Sequence, residues 1–460
     1  MESRLLNELR RIVGTAYVLT DKEDLLCYAY DATPGFSHMP DAVVSPANTN
    51  EVSQVLALAN TEKIPVYPRG SGTNLSAGTV PTKGGIVLQM TRFDKILEID
   101  EANLVATAEP GVIVAALNKA VEQFGLIYPP DPGTVATATL GGTVAENAGG
   151  LRGLKYGVSK HYVMGLEVVL ADGSILQTGG KNVKDVAGYD LTKLFTGSEG
   201  TLGVITKIIV KLVPAPEAKK SMMAIFSNLD NAGNSIAAII AGKIIPATLE
   251  ILDNATIRTV EDYANVGLPT EAEAVLLIEV DGIPEVVEKE AAKVVEVLKA
   301  NHADQIQVAK DAAERDKIWA ARRAALPALA KLRPTTFTED ATVPRSKVPE
   351  MIRAVNQAAA KHKVTIGTFG HAGDGNLHPT IVCDLRDKEE MERVYKAMDE
   401  IFTTAIRLGG TLSGEHGIGL GKLKYMEDQF GEVGMKTMRA IKKALDPNCI
   451  LNPGKLVGEC

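Results

Sequence analysis

Three observations predict an α+β protein of more than one domain from the 460 residues. From Ser221 onward, short β-branched and apolar runs alternate with long helical patterns, as in one sheet carrying helices on one face. Before it, short strands are separated by three glycine-rich loops. Between the two regions, Pro214-Ala-Pro216 interrupts both patterns and reads as a domain boundary.

Taken in order, two short N-terminal helices precede a strand at Ala42-Val-Val-Ser45, and Asn48 with Glu51 forms a capping box that opens a helix to about Asn60. The strand Ile64–Tyr67 runs into the first loop, Pro68–Thr79, whose exposed amides suit a diphosphate. It is neither a Rossmann fingerprint, because Leu75 replaces the last glycine, nor a Walker A loop, because G-K-[ST] is missing. Strands follow at Ile86–Met90 and Leu104–Ala108, then a helix from Val112 to Phe124. The second loop, Pro129–Gly150, is almost all small residues and prolines; it has too little bulk to form its own core and should line something large and flat. After a hairpin turning at Ala171-Asp-Gly173, the third loop, Gly188–Gly203, leads into the strand Val204–Val213. Taken singly, a glycine-rich turn is equally a plain loop.

In the second region, strands are expected at Met222–Phe226, Thr248–Leu252, Val275–Val280 and Gln305–Ala309, with helices at Pro284–Lys299 and Asp311–Leu332. The region ends in Gly370-His-Ala-Gly-Asp-Gly-Asn-Leu-His378, the tip of a hairpin between Val364–Phe369 and Leu377–Cys383, where Gly373 and Gly375 allow a tight turn. His371 and His378 then converge on one point, and Glu415 in Ser413-Gly-Glu-His-Gly417 is the best third ligand for a divalent cation with open positions. The alternative is that these are ordinary turn residues, but three of the 7 histidines fall inside such turns.

Apolar content of 45% supports a sizeable core, and a net charge of -8 without any basic tract argues against nucleic acid. Cys27, Cys383, Cys449 and Cys460 form no C-x-x-C pair, which excludes a zinc knuckle or iron–sulfur cluster and suggests reduced thiols in a cytoplasmic protein. Met1–Gly14 lacks a signal-peptide core, and the longest apolar runs fall far short of the roughly 20 residues of a transmembrane segment.

Together, Pro68–Thr79, Asp131–Gly150, Gly197–Thr206, the HAGDGNLH, GEHGIG and NPGK segments resemble the FAD-linked oxidase family of D-2-hydroxyacid dehydrogenases, over residues 46–455. The resemblance implies a two-part FAD-binding domain of the vanillyl-alcohol-oxidase (PCMH) type and a ferredoxin-like antiparallel cap. The corresponding division is an N-terminal helical segment 1–36, FAD domain 37–216, cap 217–418 and C-terminal helix and tail 419–460.

It further implies that Gly70, Ser71, Gly72, Thr73, Asn74 and Ser76 hold the pyrophosphate, with Arg69 also among the cofactor-binding residues. Pro132, Gly142, Asn147, Gly149 and Gly150 would line the flavin, Gly203 and Ile205 the adenine–ribityl part, and Asn452 would approach from the tail. His371, His378 and Glu415 would bind zinc, iron or manganese, with His416 as base and Arg322, rather than Arg323, gripping the substrate carboxylate. Thr73-Asn74 stands where relatives with covalent flavin carry histidine, so noncovalent FAD is expected.

The expected reaction is oxidation of a small 2-hydroxy acid, D-lactate to pyruvate first, with metal-assisted alkoxide formation and hydride transfer to flavin N5. A glycolate oxidase catalytic subunit and a D-2-hydroxyglutarate dehydrogenase are the alternatives. Thr338, Glu339 and Asp340 offer no cation for a distal carboxylate, whereas Phe337 or Leu326 suits a methyl group. Electrons would leave through an electron-transfer flavoprotein or iron–sulfur subunit, either of which could hold the protein peripherally at a membrane. A metal hydrolase would leave the three loops unexplained, and a noncatalytic electron-transfer subunit would lack the His-His-Glu set.

Overall fold

A computed structural model describes residues 1–459. The chain divides into two compact units: Met1–Gly149, Val158–Ala215 and the segment from Glu415 onward form one, and Gly150–Gly157 with Pro216–Gly414 form the other. The helix Ser3–Val13 is not a separate segment. It buries Leu9 and Val13 against Val52, Val55 and Leu56 of the helix Thr49–Glu62, in the core of the first unit. Gly150–Gly157 groups with the second unit through long-range bonds that composition does not reveal: Lys155 Nζ pairs with the buried Asp281, and Tyr156 donates to it at 2.8 Å.

The first unit holds two main sheets. One has the order Val18–Leu19, Ala42–Val44, Ile86–Gln89, Val66–Arg69, with the last three strands parallel. The other is antiparallel: Ile96–Asp100, Val105–Ala108, Val204–Lys211, Val163–Val169, Ile175–Gly179. The tail adds to the first sheet's edge, where Val66 N–H donates to Ile450 O at 2.7 Å and Asn452 N–H to Val66 O at 2.8 Å. The small-residue stretch Pro129–Gly150 is not extended throughout. Leu140–Glu146 is helical, with the Thr139 hydroxyl accepting from Gly142 N–H. Gly141 there packs so closely on Pro110 that no side chain would fit, so tertiary contact overrides poor helix propensity.

The second unit is one antiparallel sheet in the order Gln305–Val308, Ala218–Phe226, Ala274–Gly282, Thr248–Asp253, Thr365–His371, Asn376–Cys383, Thr335–Thr338. Helices cover both faces, not one. Leu276 and Ile278 pack under Leu229–Ala241, Pro284–Ala300, Val348–His362 and Lys388–Arg407, while Val275 and Leu277 pack under Asn254–Ala264 and Ala312–Leu332. The continuous run Ala274-Val-Leu-Leu-Ile278 is the signature of a strand buried on both faces. Of the four cysteines, Cys27 and Cys383 are free, Cys449 is disulfide-bonded contrary to expectation, and Cys460 lies outside the described residues.

Candidate active site

In the first unit a cleft is lined by Pro68, Arg69, Gly70, Met90, Pro110, Thr139, Gly141, Gly142, Ala145, Gly200, Gly203, Val204 and Ile205. Five expected cofactor residues, Arg69, Gly70, Gly142, Gly203 and Ile205, therefore meet there. Small residues form this wall because neighbouring elements crowd it: a Cβ on Gly203 would strike Val168, and one on Gly70 would strike the Thr139 hydroxyl. Beside the cleft, the backbone amides of Ser71 to Ser76 donate no hydrogen bond within the described residues. A run of uncommitted N–H groups is what a pyrophosphate requires, so the residues fit FAD.

Several expected contacts are instead spent within the protein. The buried Arg69 guanidinium donates to Tyr30 O and Thr79, and Asn74 Nδ2 donates to Asp31. Ser71 donates to Thr137 O at 2.5 Å, while Ser76 O accepts Leu420 and Gly421 N–H. Asn147 ends its helix in the left-handed region and accepts Lys160 N–H at 2.9 Å. Asn452 Nδ2 donates to Gly78 O and Glu199 O, stapling the first loop to the third. These side chains shape the loops. Thr73 adds no side-chain hydrogen bond, Pro132 lies outside the cleft lining, and Gly149 passes so close to Glu415 that a side chain would collide with it. Gly150, at φ 139°, opens the excursion that groups with the second unit.

The second unit assembles a polar cluster on one face of its sheet. His371 and His378 lie on paired strands of the hairpin, His371 opposite Asn376 and His378 opposite Phe369, with the imidazole rings edge-on at 5.1 Å. His371 Nδ1 is 2.6 Å from Glu250 Oε1, and His378 Nδ1 is 3.3 Å from Glu339 O. With Nδ1–H donated to these acceptors, Nε2 is the nitrogen that each ring would offer to a metal. Glu250 is fully buried, and its other oxygen accepts from Arg322 Nε at 2.5 Å. Burial alone would raise the Glu250 carboxyl, but His371 and Arg322 outweigh it and hold it at about 2. The Arg322 guanidinium also lies 4.6 Å over the Phe369 ring, whereas Arg323 bonds Asp316 O on the exposed side. Thr338, opposite Thr380, shares this face; Phe337 packs into the core of the other face, and Leu326 is exposed, which corrects their expected place beside the substrate.

The turn leading to Glu415 is fixed by the buried Asp340, which accepts Ser413 Oγ and, at 3.0 Å, Gly414 N–H. Asp340 thus anchors this turn. Glu415 is the next residue; His371, His378 and Glu415 each offer a ligand atom, all within 4.8 Å of one another. Two imidazoles and a carboxylate so disposed fit a divalent metal. His416 lies 3.7 Å from the Glu415 carboxylate. Beyond it, the buried Glu199 accepts Ile418 and Gly419 N–H, both at 2.7 Å, and burial with Glu199 and Asp31 nearby pushes Glu146 well above the usual carboxylate range.

Sequence reasoning missed Glu250 and the part Glu199 plays, and it named Asp340 only as an acid near the substrate, not as the acceptor of the Ser413–Gly414 turn. The one available signal was a lone acid inside an apolar strand, as in Thr248-Leu-Glu-Ile-Leu252.

Such a cleft and loop, with a large antiparallel sheet in the second unit, define an FAD-dependent oxidoreductase. The chain belongs to the FAD-linked oxidase family: residues 215–456 match the model of FAD linked oxidases, C-terminal domain, and residues 40–179 that of an FAD binding domain. It is 56% identical to glycolate oxidase subunit GlcD of Bacillus subtilis (strain 168), over 94% of this chain and 92% of that protein. A D-lactate dehydrogenase of Anaerostipes hadrus is 37% identical over 91% and 89%. The fold resembles substrate-bound p-cresol methylhydroxylase, with a TM-score of 0.81 at 19% identity, covering 99% of this chain and 96% of that one. The PCMH-type, α+β expectation is borne out. Among the described residues no helix is long and apolar enough to cross a membrane.

Proposed function

We propose that the protein is a D-2-hydroxyacid dehydrogenase that acts on short monocarboxylates, D-lactate before glycolate and both before D-2-hydroxyglutarate. The observation that carries it is the His371–His378–Glu415 set in a chain whose family model includes an FAD binding domain. The glycolate oxidase and D-lactate dehydrogenase relatives support the substrate class.

In this reading His371, His378 and Glu415 hold the metal, which when bound supplies Lewis acidity toward the substrate hydroxyl. FAD, held noncovalently by the Ser71–Ser76 amides, supplies the hydride acceptor. Arg322 binds the substrate carboxylate through the guanidinium nitrogens beyond its Nε, with charge-assisted bonds. His416 takes the hydroxyl proton onto its imidazole as the C2–H bond breaks. Thr338 on the site face provides no cation, so a distal carboxylate would be buried unpaired at a cost of several kcal/mol. The protein works in the cytoplasm and passes electrons to a partner, an electron-transfer flavoprotein or an iron–sulfur subunit.

The test is anaerobic stopped-flow bleaching of the flavin with D-lactate, glycolate and D-2-hydroxyglutarate, before and after chelation. D-Lactate should bleach fastest, chelation should stop bleaching without changing the flavin spectrum, and acid should release the chromophore into solution. Fast bleaching by the dicarboxylate, or chelator-insensitive reduction, refutes the assignment.

A further inference from the structure

Glu250 does more than neutralise a partly buried arginine. Its strand, Thr248–Asp253, pairs with Thr365–His371 so that Ile251 faces Gly370 and Leu252 faces Phe369. Continuing that register sets Glu250 opposite His371. The alternation of the strand points Glu250 to the sheet face covered by the helix Ala312–Leu332, which carries Arg322. Its two oxygens are divided: Oε1 meets His371 Nδ1 at 2.6 Å and Oε2 meets Arg322 Nε at 2.5 Å. The carboxylate is completely buried, so neither bond is exchanged with solvent at low cost.

We infer that Glu250 is a shared positioning residue, one carboxylate that orients both a metal-binding imidazole and the guanidinium that receives the substrate carboxylate. The inference rests on the metal and Arg322 roles proposed above. One oxygen selects the His371 tautomer that presents Nε2, and not Nδ1, to the metal, and partners of this kind are typically worth about 10–100-fold in metal affinity. The other holds Arg322 by Nε, leaving the remaining guanidinium nitrogens for a ligand. No singly hydrogen-bonding side chain can do both: the amide of glutamine has one acceptor oxygen, and its NH2 group would confront the second donor. Metal affinity and carboxylate affinity are therefore tied to the same residue, although Glu250 is assigned contact with neither ligand.

The experiment uses the FAD-loaded full-length protein after metal removal, comparing wild type, Glu250→Gln and His378→Ala. Zinc is titrated against a chromophoric chelator, and pyruvate binding to the zinc-loaded protein is followed by calorimetry, so turnover is not needed. In Glu250→Gln the zinc Kd should rise about 10–100-fold and the pyruvate Kd about tenfold or more. The FAD spectrum should be unchanged. Unchanged zinc and pyruvate constants overturn the inference, and a shift in only one overturns the shared role. If wild type binds zinc no better than His378→Ala, the metal reading itself falls and takes the inference with it. Should Glu250→Gln fail to fold, Glu250→Asp takes its place in both titrations: it keeps the charge but withdraws both oxygens by one methylene, so both constants should again rise, and unchanged constants again overturn the inference.

Discussion

Replacing Arg322 by alanine should damage two separable properties. In the folded protein Glu250 has no exposure, and Arg322 is the one permanent cation paired with it among the described residues; its other partner, His371, is an imidazole. Removing one member of a buried pair strands the other, at a cost of about 3–5 kcal/mol. With a urea dependence of roughly 2–3 kcal/mol per molar for a unit of this size, the unfolding midpoint should fall by roughly 1–2.5 M. Binding should suffer independently. A lost charge-assisted bond is worth about 1.5–3 kcal/mol, which would raise the KM for D-lactate roughly tenfold to over a hundredfold. Urea denaturation of the substrate-free enzyme reads the first effect and steady-state kinetics with an artificial acceptor reads the second. The double variant Arg322→Ala/Glu250→Gln should be more stable than Arg322→Ala alone, because the stranded charge is gone. An Arg322→Ala protein that unfolds at the wild-type midpoint would refute the buried-pair argument, and an unchanged KM would refute the carboxylate grip.

Two further perturbations address other parts of the chain. Burial raises Asp253 to about 6 from 3.8 against the hydrogen bond it accepts from Thr256 N–H, so protonation favours folding and that contribution is lost as pH rises through about 6. The gap corresponds to about 3 kcal/mol; Asp253→Asn, which keeps the cap oxygen, should gain stability over wild type by about 2 kcal/mol more at pH ~7 than at pH ~4.5, and a pH-independent difference in urea midpoints would count against it. Gly70→Ala drives a methyl group into the Thr139 hydroxyl that caps Leu140–Glu146. It should weaken FAD binding by about fivefold or more, about 1 kcal/mol of lost cap energy, in a flavin fluorescence titration, and wild-type affinity would remove the cleft from the cofactor's path.

What was legible in the sequence was what repeats locally. The hairpin around His371 and His378 announced itself through β-branched flanks and through Gly375, whose φ of 86° and close approach to Val343 O allow no other residue easily. The strands Ala218–Phe226 and Ala274–Gly282 were recognisable from composition, though each proved longer than expected. The helix Leu140–Glu146 was hidden because two glycines and a threonine argue against helix, and only the packing of Pro110 on Gly141 decides the matter. The second layer of helices was hidden for another reason: a run of consecutive apolar residues fits a buried strand without stating what covers each face.

The site divides along the same line. His371, His378 and Glu415 are a sequence signal because all three stand in or directly beside short glycine-punctuated turns. Glu250 lies 121 residues before His371, in a strand that would read equally well with threonine in its place. Its role exists only once strand register puts residue 250 across from residue 371 and a helix from residues 312–332 closes over that face. Asp340 and Glu199 follow the same logic, since each accepts backbone N–H groups of distant turns, at Gly414 and at Ile418 and Gly419. The proposed ligands are thus written locally and the residues that would aim them are written in the topology, so a metal site read from motif alone names its donors but not the geometry that would make them donors.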